Sequence, residues 1–160
     1  ISNTFSTSHY KALNENVIGS AKLYLSSING IGDDDARLSK RRFLSERRLR
    51  GFERGKVGPV DSTDHVGGNY TAALNLETNL PNLIPDNYNA DAVFFLDFGN
   101  VWGVDYSDSI DDSNELRSST GVGVNWLSPI GPISFNFAQN LSKADTDKTQ
   151  SFSFNLGTTF

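Results

Sequence analysis

Cysteine is absent from the 160 residues, which removes disulfides, thiol catalysis and cysteine-based metal sites. An oxidising envelope and a cytosol both tolerate that absence, so it assigns no compartment. Long apolar runs are missing too: nothing approaches the ~18 consecutive apolar residues of a membrane-spanning helix. A helical membrane protein is thereby excluded. A membrane β-barrel is not, because its strands need only every second residue apolar. The negative mean hydropathy of −0.39 is therefore no argument against a membrane location. Excess positive charge is also lacking: a net charge of −5 argues against nucleic acid as a partner. Finally, the chain opens at Ile1 with neither Met nor a secretory leader pattern, and its length allows one domain. The expectation is a piece of a longer protein.

What is present is alternation. Helical i, i+3, i+4 stripes are scarce, whereas period-2 stretches recur, and successive strand residues face opposite sides of a sheet. The last stretch sets Phe152, Phe154, Leu156, Thr158 and Phe160 against Ser151, Ser153, Asn155, Gly157 and Thr159. Taken alone, it suits a soluble sheet or an outer-membrane barrel strand. Its aromatic end favours the barrel, since soluble chains usually end in a frayed polar tail. Further stretches span 16–27, 68–80, 89–102 and 115–127, with Ile133, Phe135 and Phe137 on one face of another and a short one near Ser2 to Ala12. Seven strands are expected, in an all-β antiparallel meander.

The connections alternate in length. Those after Ile28, Trp102 and Leu141 are long or moderate and polar, and 29–67 runs without strand periodicity. Those at Pro81 and Pro129 are tight Pro/Asn or Pro/Gly turns. Sorting long loops to one end and short turns to the other suits an outer-membrane barrel, and a soluble sandwich has no reason to do it. Seven strands do not close such a barrel, and an open edge in lipid leaves backbone groups unsatisfied. Either a further weak strand lies near the N-terminus or, as favoured here, the missing strands lie upstream of Ile1.

Three charged groups lie at inward positions of half-luminal strands: Lys22, Glu77 and Asp97. A basic run, Lys40-Arg41-Arg42 and Arg47-Arg48-Leu49-Arg50, marks the long loop, and most of its charges are expected to be solvated. Arg50 differs because Gly51 and Phe52 follow. Glycine allows a sharp turn that can present a planar guanidinium inside a cavity, where a carboxylate can pair with it bidentately. Spacing permits Arg50 to meet Asp97 and Glu77 without requiring it. The same carboxylates admit a general acid and base pair of a glycosidase-like hydrolase, but no histidine, nucleophile or metal-ligand constellation stands beside them. His9 reads as a strand-end contact and His65 as a loop histidine. Gly121-Val122-Gly123 is too sparse for a phosphate loop and marks a bend or a close approach inside a strand. Trp102, Trp126 and Tyr70 fall at strand ends on the outward face, suiting either a membrane interface or a protein core.

Five segments in order resemble the carboxyl-terminal barrel half of the BamA family of outer-membrane assembly proteins, within the bacterial surface antigen superfamily. Leu49-Arg50-Gly51-Phe52, with Val57-Gly58-Pro59 after it, is similar to the motif of that family's sixth extracellular loop. Val66-Gly67-Gly68-Asn69 opens the following strand. Phe94-Phe95-Leu96-Asp97-Phe98-Gly99-Asn100-Val101-Trp102 resembles a family strand in which Phe95, Asp97, Gly99 and Trp102 are the motif positions. Trp126 to Ile133 with Phe137-Ala138-Gln139 resembles the family's turn and next strand. Phe152 to Phe160 resembles its terminal targeting signal.

The resemblance implies about seven strands of a sixteen-stranded barrel in the bacterial outer membrane, with long extracellular loops and short periplasmic turns. Residues 1–160 would be its carboxyl-terminal part, with loop 29–67 carrying the motif and the periplasmic domains and first barrel half absent. It implies that Arg50 reaches into the lumen and pairs with Glu77 and Asp97. The final strand, through Phe152, Phe154, Leu156, Gly157 and Phe160, would be the targeting signal and one side of a loosely paired gate. The implied partners are outer-membrane lipid, unfolded β-barrel clients, and accessory assembly lipoproteins bound through the missing domains. Insertion of clients without bond chemistry, metal or cofactor is the implied function, so no enzyme is expected. A polypeptide-exporting barrel of the same superfamily and a soluble hydrolase are the alternatives. One departure is Glu46-Arg47-Arg48, where family members often carry small or Gly-rich residues; it leaves the loop's local path open.

Overall fold

The computed structural model describes residues 1–32, 34–112 and 114–157. In chain order its strands are β1 (Ser2–Ala12), β2 (Ile18–Ile28), β3 (Val60–Asp61), β4 (Asp64–His65), β5 (Tyr70–Leu80), β6 (Ala90–Trp102), β7 (Arg117–Ser128), β8 (Gly131–Ser142) and β9 (Phe152–Leu156). Seven of them form one sheet in the order β1-β2-β5-β6-β7-β8-β9. Each pair is antiparallel, so the sheet is a simple meander with β1 and β9 as its two edges. All seven strands expected from the alternation are present. The 29–67 loop adds the two-residue hairpin β3–β4, which its lack of periodicity did not suggest.

Two expectations about the end of the chain need correction. The last strand stops at Leu156, shorter than its alternation suggested, and Gly157 lies just past it at φ +105° instead of within it. Phe160, with Thr158 and Thr159, lies outside the described residues.

The register makes the two faces chemically distinct. One face aligns Leu25, Ala72 and Leu23, Leu74, Phe98 across β2, β5 and β6. It continues through Phe94, Val122, Phe137 and Phe152 across β6 to β9. Phe94, Phe137 and Phe154 are exposed on this outward face. The rings also pair across strands, Phe135 on Phe154 at 5.7 Å and Phe137 on Phe152 at 5.1 Å. Tyr70 and Trp102 stack at the long-loop end, and Trp126 stands half-open at the short-turn end. Water would not stabilise such a face; hydrocarbon with aromatic girdles does.

The opposite face is covered by the 29–67 loop. Leu44, Leu49, Phe52 and Val57 descend from the loop onto Ala73 of β5 and Val101 of β6, forming the buried cluster. Small wall residues make this approach feasible. A Cβ at Gly99 would lie 2.9 Å from the Leu44 side chain, and one at Gly121 would lie 2.7 Å from the Phe95 ring. The glycines of the 121–123 stretch thus mark close approach, one of the two readings their positions allowed. Phe95 is fully buried beneath the loop.

A sheet with two unpaired edges and an apolar outward face should associate with itself. Sedimentation velocity of isolated, refolded 1–160 without detergent is expected to give oligomers or aggregate. A monodisperse monomer would contradict the face assignment.

Candidate functional site

Arg50 is delivered to the covered face by local backbone chemistry. The amides of Arg48 and Leu49 both donate to the Ser45 carbonyl, at 2.9 and 3.2 Å, closing a turn over Glu46-Arg47-Arg48. That turn is the path which the charged residues had left open. The Arg48 guanidinium lies 3.4 Å over the Tyr24 ring of β2, and Asn75 donates to the Arg48 carbonyl at 3.0 Å. Gly51 then takes φ +89°, where a side chain would be strained and would press within 3.3 Å of Ser119, Ala138 and Asn140.

All three guanidinium nitrogens donate to carboxylates. Its Nε donates to Asp97 Oδ2 at 2.7 Å and one terminal nitrogen to Asp97 Oδ1 at 2.8 Å, a bidentate fork. The other terminal nitrogen donates to Glu77 Oε2 at 2.8 Å. The Arg50 backbone amide also donates to Asp97, at 3.1 Å, and Asn75 donates to it at 2.8 Å. The Cζ of the cation lies 3.7 Å from the centre of the Phe95 ring. Asp97 is wholly buried, so a charge that would be costly alone is met by an opposite charge and several donors. Of the two carboxylate uses that the sequence admitted, the geometry realises the ion pair. The space between Glu77 and Asp97 is filled by Arg50, leaving none for a glycosidic oxygen.

The clamp reaches beyond β5 and β6. Ser119 of β7 donates to the Arg50 carbonyl, and Asn140 of β8 donates to the Gly51 carbonyl at 2.8 Å. Phe52 pairs with Thr149 as an antiparallel bridge, flanked by Gln150 N–H to Gly51 C=O at 3.0 Å and Glu53 N–H to Lys148 C=O at 3.0 Å. Three residues of one loop therefore touch four strands and the β8–β9 connection. Lys22 also faces this side, lining a polar cavity with Arg50, Glu77 and Asn136.

The expectation of a solvated basic run is overturned. Arg41 is buried, and Arg42, Arg47 and Arg48 are only half-exposed; of the run, Lys40 alone is open to solvent. Each is drawn in by an acceptor or ring that sequence separation conceals. Arg41 pairs with Asp105 across the sheet's long-loop end, beside Asn69, and lies 4.7 Å from the Tyr106 ring. Another buried pair joins Arg117 to Asp147 at 2.8 Å, and Asp147 also accepts the Gly58 amide at 3.3 Å. Sequence reading missed both pairs. Inward parity at the start of β7 was the available signal for Arg117. His65 does sit in the loop, its Nε2 3.1 Å from the Thr146 carbonyl, and His9 projects from the outward face of edge strand β1.

This pattern has counterparts in known proteins. All 160 residues match the Omp85 superfamily domain.

The chain belongs to the Omp85 superfamily.

It is 32% identical to the outer membrane protein assembly factor BamA of Neorickettsia risticii, over 84% of this chain and 18% of that protein. It is 35% identical to BamA of Neisseria meningitidis serogroup B, over 70% of this chain and 17% of that protein. The crystal structure of Haemophilus ducreyi BamA lacking POTRA domains 1–3 superposes with a TM-score of 0.85 at 28% identity, covering 96% of this chain and 34% of that one. The chain thus spans less than a fifth of the first two relatives' length and about a third of the crystallised chain, and its sheet is an outer-membrane β-barrel segment of this superfamily.

The Arg41–Asp105 tether should respond to acid. Burial alone would raise the Asp105 carboxyl, but donors at Ala36 N–H, Asn69 and Arg41 outweigh it and bring it from 3.8 to about 2. A depressed folded-state carboxyl contributes stability above its unfolded value, lost as pH falls through the folded one. Hydrogen-exchange protection of the Ala36 amide in the full-length protein is expected to hold above pH 4 and fall as pH drops to about 2. Asp105→Asn should abolish that step; an unchanged profile in the variant would contradict the assignment.

Proposed function

We propose that this chain is the carboxyl-terminal barrel wall of an outer-membrane insertase, which assembles β-barrel clients without making or breaking covalent bonds. The observation that carries the reading is the docking of Arg50 onto Asp97 and Glu77 by a loop that spans the covered face. The relatives named above are outer membrane protein assembly factors, which supports it. In this reading the seven strands are part of a sixteen-stranded barrel. The 29–67 loop plugs its lumen, and Phe95, Gly99 and Trp102 form the strand that receives the loop. The remaining strands, the periplasmic domains and the accessory lipoproteins they hold lie in the rest of the protein.

The physical task is to lower the cost of bringing unpaired backbone into hydrocarbon, where each unsatisfied N–H or C=O is penalised by several kcal/mol. A strand edge answers this by β-augmentation, pairing with the client as it arrives. β9 suits that role. It pairs with β8 over only five residues, Phe152 to Leu156, and Gly157 beyond it brings no side chain to pack. A short, weakly held strand opens at lower cost than its eleven- to thirteen-residue neighbours. Phe152, Phe154 and Leu156 keep its outward side in lipid during opening. The Arg50 clamp, gripping β5 to β8, holds the rest of the wall rigid while the edge moves.

Arg50→Ala in the full-length protein removes the fork and leaves Asp97 buried and unpaired, a loss of about 3 kcal/mol. Reduced levels of the heat-modifiable folded form and slower client insertion are expected. Arg50→Lys should recover only part, because an ammonium cannot form the fork. Normal levels, normal heat-modifiability and normal client insertion in Arg50→Ala would remove the assigned role.

A further inference from the structure

The outward face carries a cation where none is expected. Among the outward positions of the seven strands, Lys11 is the sole side chain ionised at neutral pH, and His9 lies two residues before it on the same side of β1. Among the described residues, no ion pair involves Lys11. The outward residues facing it on β2, β5 and β6 are apolar or small, Gly19 and Ala21, Leu76 and Thr78, Phe94 and Leu96. A charged side chain on the lipid side of a barrel is tolerated near the membrane boundary, where it can reach headgroups. Lys11 stands one residue before the end of β1, at the short-turn end of an eleven-residue strand. Eleven residues match the ~9–11 that cross the hydrocarbon.

Beside this cation the surface is hollowed. Gly19 and Ala21 of β2 form the floor of a groove, Leu76 and Phe94 rise on one side, and His9 and Lys11 flank the other. Leu13 from the β1–β2 turn closes the end, its Cδ1 3.3 Å from where a Gly19 Cβ would sit. An apolar trough flanked by a lysine with a histidine beside it is complementary to one molecule class: an acyl chain joined to an anionic headgroup. We propose that this groove is a binding site for an anionic phospholipid of the periplasmic leaflet, its phosphate held by Lys11 and His9 and one acyl chain laid over Gly19 and Ala21. The inference rests on the reading that the outward face meets lipid.

Native mass spectrometry of the full-length protein in mild detergent tests it, with phosphatidylglycerol and phosphatidylcholine of identical chains as competing probes. The native protein is expected to retain phosphatidylglycerol about tenfold better, the order a charge-assisted contact supplies. Lys11→Gln should erase the headgroup preference, and Ala21→Phe, which fills the trough, should lower retention of both lipids. Both positions face outward, so heat-modifiable barrel should persist in each variant and is measured alongside. An intact barrel whose Lys11→Gln form keeps the preference, or whose Ala21→Phe form retains lipid as before, overturns the groove and leaves the barrel reading standing. A protein that needs no detergent and shows no heat-modifiable form overturns both.

Discussion

A single buried cation organises this wall. The Arg50 guanidinium joins a loop to two strands through Asp97 and Glu77, and it does so over the face of Phe95. Removing Arg50 leaves the Asp97 charge with no solvent to meet it, so the loop and the strand that carries Asp97 are stable only together. That interdependence explains the companions. Asn75 supplies a further donor to Asp97, Ser119 and Asn140 satisfy the carbonyls of Arg50 and Gly51, and Gly51 alone among residue types accepts the backbone turn without strain. The loop's apolar residues, Leu44, Leu49 and Phe52, complete a core on the covered face to which the sheet adds Ala73 and Val101.

The same constraint separates the two sides of the sheet. The covered side is thinned by Gly99, Gly121 and Ser119 to admit the loop, while the outward side carries the large aromatic and branched residues. In a water-soluble protein that distribution would be inverted. Here the bulky side contacts hydrocarbon and the slender side contacts a polar, partly filled interior, as membership of the Omp85 superfamily requires.

Much of this is legible in the amino-acid sequence. Alternation identified six strands with the face their residues take, because one apolar side is a strong constraint on period; the first, expected only as a short stretch near Ser2 to Ala12, is a full eleven-residue strand. Arg50 and its two carboxylates were only permitted by spacing; the resemblance of the R-G-F and F-x-D-x-G segments picked them out. What escaped was long-range polar pairing. Arg41 looked like one charge of a solvated run, since nothing local signals that Asp105 and Asn69 converge on it from two other connections. Arg117 and Asp147 were overlooked for the same reason. The early stop of β9 at Leu156 was also hidden, because alternation continues past it to Phe160.

The account turns on whether the clamp holds the loop against the wall in the membrane. Phe52 and Thr149 form a non-hydrogen-bonded antiparallel pair, the arrangement with the closest side chains, and the chain contains no competing cysteine. Phe52→Cys with Thr149→Cys, in full-length protein otherwise free of cysteine and oxidised in its native membrane, measures that contact. The account predicts rapid, near-complete cross-linking that falls sharply when Arg50→Ala is added. Equal cross-linking with and without Arg50, or none in either, would contradict it.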